Sequence, residues 1–101
     1  MSGMMTESYF TITGMDHYFG KEFLSPGMKV DLFKDPENKY DHEAICVKLP
    51  VLGKIGYVAN SPATVLGESM SAGRLYDRMG DAAQGTVIYV LNGGAICRLD
   101  R

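Results

Sequence analysis

The chain predicts a small, mainly β protein: a barrel or strongly curled antiparallel sheet of about six short strands, with two short helices between the fourth and fifth strands. Three observations carry this. Short runs rich in β-branched and aromatic residues alternate along the chain. Tight turn signals separate most of them: Ser25-Pro26-Gly27, Asp35-Pro36, Leu52-Gly53 and Asn92-Gly93-Gly94. The hydrophobic period then changes once, after Asn60. A length of 101 residues suits one hydrophobic core and leaves no room for a second. We expect residues 1–8 to be a flexible lead-in and residues 9–101 to form a single domain.

Residues 9–13, YFTIT, alternate with Phe10 and Ile12 on one side and Tyr9, Thr11 and Thr13 on the other, the pattern of a strand with one buried face. Gly14-Met15-Asp16-His17-Tyr18-Phe19-Gly20 follows, a glycine-bracketed loop with three consecutive rings. Those rings either cap a barrel end or form a stacking rim, and loops on a rigid β scaffold are common sites of binding. After the Pro-Gly turn, residues 28–32 point Met28, Val30 and Leu32 inward. Phe33 is left on the same face as Lys29 and Asp31. Asp35-Pro36 ends that strand, because proline fixes its own φ and drives the preceding residue out of the helical region.

Residues 44–49 form the next strand, with Ile45, Val47 and Leu49 inward, and Pro50 stops it. Residues 54–59, KIGYVA, make a third short run. Gly56 inside it signals a bulge or a close backbone approach. Asn60-Ser61-Pro62 reads as a helix start, a capping residue with proline in the first turn. Residues 63–70 and 73–79 then read as two short helices, since Gly67 and Gly73 would each cost about 1 kcal/mol inside one long helix. Gly80 is the stop for the second. Residues 84–91 and 95–99 flank Asn92-Gly93-Gly94 as a closing hairpin, Asn-Gly tolerating the positive φ that tight hairpins use.

Composition narrows the function classes. Hydrophobics at 46% and charged residues at 22% are ordinary for a folded domain. A net charge of −2 and a pI near 5.6 argue against a protein that coats nucleic acid, because lysine and arginine supply most non-specific affinity. Any nucleic-acid contact must be small and local. Cys46 and Cys97 lie in separate apolar runs and read as buried thiols in a reducing cytosol. With no apolar segment near the ~20 residues of a membrane helix, a cytoplasmic protein with no membrane contact is expected. Phosphate-loop and dinucleotide fingerprints are missing. The only histidines, His17 and His42, make a poor zinc set, and the acidic cluster around residues 35–43 lacks calcium-loop spacing. We therefore expect a non-enzymatic protein with no cofactor and no metal.

The most informative stretch is PENKYD, residues 36–41, between two strands. Tyr40 offers a stacking face worth about 1–3 kcal/mol per base in single-strand binders. The Asp41 carboxylate repels phosphate but accepts hydrogen bonds from hydroxyls. Together they suit the end of a strand, where a free hydroxyl replaces a phosphate, and they suit a structural corner equally.

PEN-x-YD-x-x-AI-x-V, followed some ten positions on by K-x-GYV, resembles the HIRAN domain, a small β module of helicase-like DNA-repair ATPases that also occurs alone in bacterial proteins. The resemblance spans nearly the whole chain and is densest at residues 14–20, 33–47 and 54–60. It implies a modified OB-like barrel with helical insertions. It also implies recognition of single-stranded DNA at its 3′ end, in repair or processing, through Asn38, Tyr40 and Asp41. Tyr57 keeps the ring position after the glycine of K-x-GYV. Two family positions differ: Asp16 and His17 stand where DNA-binding members carry a basic residue and then an aromatic one, and Asn60 replaces a basic residue. The implied nucleic-acid set is thus Asn38, Tyr40, Asp41, Tyr57, His17 and Asn60, with phosphate-neutralising groups reduced.

The competing expectation is a protein-interaction module that has lost DNA binding. It would dock an adaptor partner or a second copy through Tyr18, Phe19 and Phe33, or through the edge of the last hairpin. A cleft where Asn38, Tyr40, Asp41 and Tyr57 converge beside Lys34, Lys39 or Lys54 would favour nucleic acid. A flat apolar patch would favour a protein.

Overall fold

The computed structural model describes residues 7–15 and 20–100. Asp16, His17, Tyr18 and Phe19, and with them most of the three-ring loop, lie outside the described residues, as do residues 1–6 of the expected lead-in.

Six antiparallel strands close into a barrel. They are β1 (Tyr9–Thr13), β2 (Lys29–Lys34), β3 (Ile45–Leu49), β4 (Gly53–Val58), β5 (Ala82–Leu91) and β6 (Gly94–Leu99), in the order β1-β4-β3-β2-β5-β6. The alternation read from the sequence sets the inward side chains. Phe10, Ile12, Val30, Leu32, Ile45, Val47, Ile55 and Val87 are essentially inaccessible and form the barrel interior. β6 is paired on both sides, by β1 and by β5. β5 pairs with β2 from Ala82 to Thr86 and with β6 on to Leu91, so the outer end of the hairpin extends past β2.

Glycine matters where backbones approach. A Cβ on Gly56 would sit 2.5 Å from the Thr13 carbonyl oxygen, and the β3–β4 register shifts between Val47 and Lys48, so bulge and close approach both occur there. The β5–β6 hairpin turns at Asn92-Gly93. Its positive φ, however, falls on Gly94 (154°), where a Cβ would strike the Ile12 carbonyl oxygen.

The helices depart from expectation. One helix, not two, lies between β4 and β5: α2 (Ala72–Tyr76), after the short α1 (Gly20–Phe23) between β1 and β2. Residues 63–70 form turns because β1 claims their backbone. Leu66 N–H donates to Thr11 Oγ1 at 3.1 Å, Met70 N–H donates to the Tyr9 carbonyl at 2.7 Å, and Gly67 takes φ 57°. These tertiary bonds outweigh helix propensity. They also bury Thr11, which its strand face alone would leave outside. Asn60 and Ser61 cap no helix at residue 63. Ser71 is the N-cap of α2, and the Asn60 side chain reaches across to the same helix. Among the described residues no helix is long and apolar enough to cross a membrane.

Candidate nucleic-acid interface

The β2–β3 connection is built around Asn38. Its backbone N–H donates to the Asp35 carbonyl at 3.1 Å, closing a turn. Its side-chain Oδ1 accepts from the N–H groups of Tyr40 (2.9 Å) and Asp41 (3.2 Å), a bond type asparagine favours in turns. This Asx cradle fixes the backbone before Tyr40 and leaves its ring in solvent, 93% exposed. Nothing packs the ring down, so it contributes little to the fold.

Asp41 is held on both oxygens. Oδ1 accepts from the Glu43 N–H at 2.9 Å and Oδ2 from Asn60 Nδ2 at 2.8 Å. Asn60 passes the connection on, its Oδ1 accepting from Gly73 N–H at 2.9 Å in the first turn of α2. The strut Asp41–Asn60–Gly73 therefore ties the loop to the helix. Gly73 leaves room for the Glu43 side chain, whose Oε1 would lie 2.7 Å from a Cβ there. Each Asp41 oxygen keeps a second lone pair for another donor.

Asn38, Tyr40, Asp41, Ala44, Tyr57 and Val58 line one groove of about 240 Å³. Tyr57 forms its β4 wall, half-buried, with its hydroxyl accepting from Lys54 Nζ at 2.9 Å and the same ammonium 4.9 Å from its ring centre. Four of the six residues named from the sequence thus converge beside Lys54. Asn60 is not a wall of the groove; both ends of its amide are occupied as the strut. His17 lies outside the described residues. Lys34 is drawn away to the Met79 carbonyl (2.9 Å) and the Tyr76 ring (4.2 Å). Sequence reasoning missed the strut; the signal for it was Asn60, two residues after β4, misread as a helix start.

A second exposed feature lies apart from this groove. Phe23, Met28, Leu49, Pro50, Val51 and Leu52 surround an apolar depression of about 500 Å³, and Val51, a β-branched residue, holds φ 72° with its side chain fully exposed.

Comparison with known proteins agrees with this architecture. The HIRAN domain family matches residues 5–93, and the chain belongs to that family, whose domains are nucleic-acid-binding modules. A crystal structure of a protein from Lactobacillus plantarum has the same fold, with a TM-score of 0.59 and 22% identity over 93% of each chain. No curated protein matches the chain.

Proposed function

We propose that this chain is a non-enzymatic module that holds the end of single-stranded DNA in the Asn38–Tyr40–Asp41–Tyr57 groove. The observation that carries the reading is the bare Tyr40 ring, held out by the Asn38 cradle at the mouth of a groove with a carboxylate. An unpacked aromatic that stabilises nothing in the fold fits a stacking role. In this reading the terminal base lies on Tyr40 against the Tyr57 wall. The terminal hydroxyl donates to a free lone pair of Asp41, and the Asn60 strut keeps that carboxylate in place. A terminal phosphate is repelled by Asp41, which gives preference for a free hydroxyl end. DNA repair or processing is the setting that family membership supports.

Fluorescence anisotropy with a short labelled oligonucleotide, ending in a 3′-hydroxyl or a 3′-phosphate, tests this at low salt. The hydroxyl form should bind at least about tenfold more tightly, and Tyr40→Ala should weaken its binding by about tenfold through the lost stacking face. Equal binding of both ends, or binding indifferent to Tyr40, overturns the reading. A second reading, docking of a protein partner, draws on the apolar depression around Val51. It gains ground if no oligonucleotide binds while Val51→Asp abolishes a specific protein contact.

A further inference from the structure

The outer face of β2, β3 and β4 carries a row that the end-binding groove does not use. Phe33 stands directly across from Cys46, and Cys46 directly across from Tyr57. Cys46 does not belong to the interior cluster, yet it is only 6% exposed. A residue opposite on a neighbouring strand lies about 5 Å away, so the two flanking rings account for that cover. In the next row along the strands Lys48 stands between Lys54 on β4 and Asp31 on β2. Directly opposed like charges destabilise a sheet. These two are placed at the rings: the Lys48 ammonium is 5.1 Å from the centre of the Phe33 ring, and the Lys54 ammonium 4.9 Å from that of Tyr57. Both lysines act on the Cys46 thiol between the rings, opposing the upward push that burial gives it.

Two rings in one row and two facing ammonium groups in the next reproduce the requirements of a single-strand track: stacking faces for bases and cations for the phosphates between them. Adjacent strands are about 4.8 Å apart, so the rings are separated by about 10 Å, a span that about two or three nucleotides cover. Tyr57 belongs to both features, as the wall of the end-binding groove and the near end of the row. Beyond Phe33 the row passes onto β5 at Ala82, which offers neither a ring nor a cation. The row of stacking faces ends there.

We infer that the Phe33–Cys46–Tyr57 face, with Lys48 and Lys54, is a second subsite that carries the few nucleotides leading away from the bound end of single-stranded DNA. This rests on the end-binding reading for its direction, while its residues are separate apart from Tyr57. Phe33 is the second stacking ring and Lys48 a phosphate contact. The footprint closes at about four nucleotides, where the rings and lysines end.

The test uses 5′-labelled oligothymidylates with free 3′ ends, roughly two, four and eight nucleotides long, titrated against the whole chain by anisotropy. Affinity should rise about five- to tenfold from the shortest to the middle length and then level off. Phe33→Leu and Lys48→Gln should remove that gain and leave the shortest oligonucleotide unaffected. Lys48→Gln should also lower the slope of log affinity against log salt by about 0.7, the value for one phosphate on a single strand. Thermal unfolding of both variants, expected near wild type, separates a lost contact from a lost fold. Equal affinity at all lengths, or gains indifferent to both substitutions, overturns the second subsite whatever happens at the groove. A length-dependent gain that needs Phe33 but ignores Tyr40 would sustain the face and overturn the end-binding reading instead.

Discussion

Tyr40 and Asp41 are neighbours with opposite relations to the fold. The ring touches almost nothing, whereas the carboxylate holds the loop to α2 through Asn60. Tyr40→Ala should therefore change stability by no more than about 0.5 kcal/mol while removing a stacking face. Asp41→Ala strips the acceptor from Asn60 Nδ2 and Glu43 N–H and should cost about 1–2 kcal/mol. Parallel denaturant titrations read both values. For that reason Tyr40 is the clean probe of binding and Asp41 a mixed one. The sequence made the residue types legible, as asparagine, tyrosine and aspartate in a turn allow both a grip and a corner. It did not show that the turn is tied to α2, because the deciding partner, Gly73, lies far along the chain from Asp41 and meets it only through Asn60.

Cys97 supplies a pH-dependent test at the same scale. Burial raises its thiol from an ordinary 9.0 to about 12. In the unfolded chain the thiol loses its proton near pH 9, while in the barrel it keeps it until about pH 12. Its contribution to stability is therefore complete below pH 9 and is lost as pH rises through that window. Stability of the wild type should fall more steeply between pH 9 and 11 than that of Cys97→Val, a difference that denaturant midpoints across the range will register. Parallel curves would contradict the burial of this thiol.

Among the elements, the strands follow from side-chain alternation and turn chemistry, both local. The inward sets of β2 and β3 are the ones alternation indicates, and Gly56 marks the bulge that a glycine inside a strand suggests. The failure at residues 63–70 has a plain cause. Apolar spacing there resembles a helix, but β1 offers the backbone better partners at Thr11 and Tyr9, and periodicity cannot register a distant acceptor. The close approach at Gly56 gives an element-level prediction. Gly56→Ala should destabilise by about 1–3 kcal/mol, since the new methyl group meets the Thr13 carbonyl and β1 or β4 must shift. Chemical denaturation of the variant checks it, and a neutral result would mean that the β1–β4 seam is looser than described.

At the scale of the molecule, closure is the governing fact. It gives every strand two neighbours and turns the side chains of the outer face toward ligands. The seam from β2 across β5 to the end of β6 is fastened by Lys29, Thr86 and Asp100. The ammonium reaches both partners, and the threonine hydroxyl donates to the carboxylate at 2.8 Å. Burial opposes ionisation of Asp100, but the hydrogen bonds from Lys29 and Thr86 prevail and hold its carboxyl below the usual value. That contribution is present above the ordinary carboxylate range and is lost as pH falls through the depressed value, so Asp100→Asn should flatten the acid limb of the stability profile.

The central claim, that the groove beside β4 receives a nucleic-acid end, is tested most directly by mapping backbone amide resonances while a short 3′-hydroxyl oligonucleotide is added. The account predicts saturable shifts concentrated at Tyr40, Asp41, Ala44, Tyr57 and Val58, absent with the 3′-phosphate form. Shifts centred on Phe23, Val51 and Leu52, or none at high concentration, would contradict it and direct attention to a protein partner.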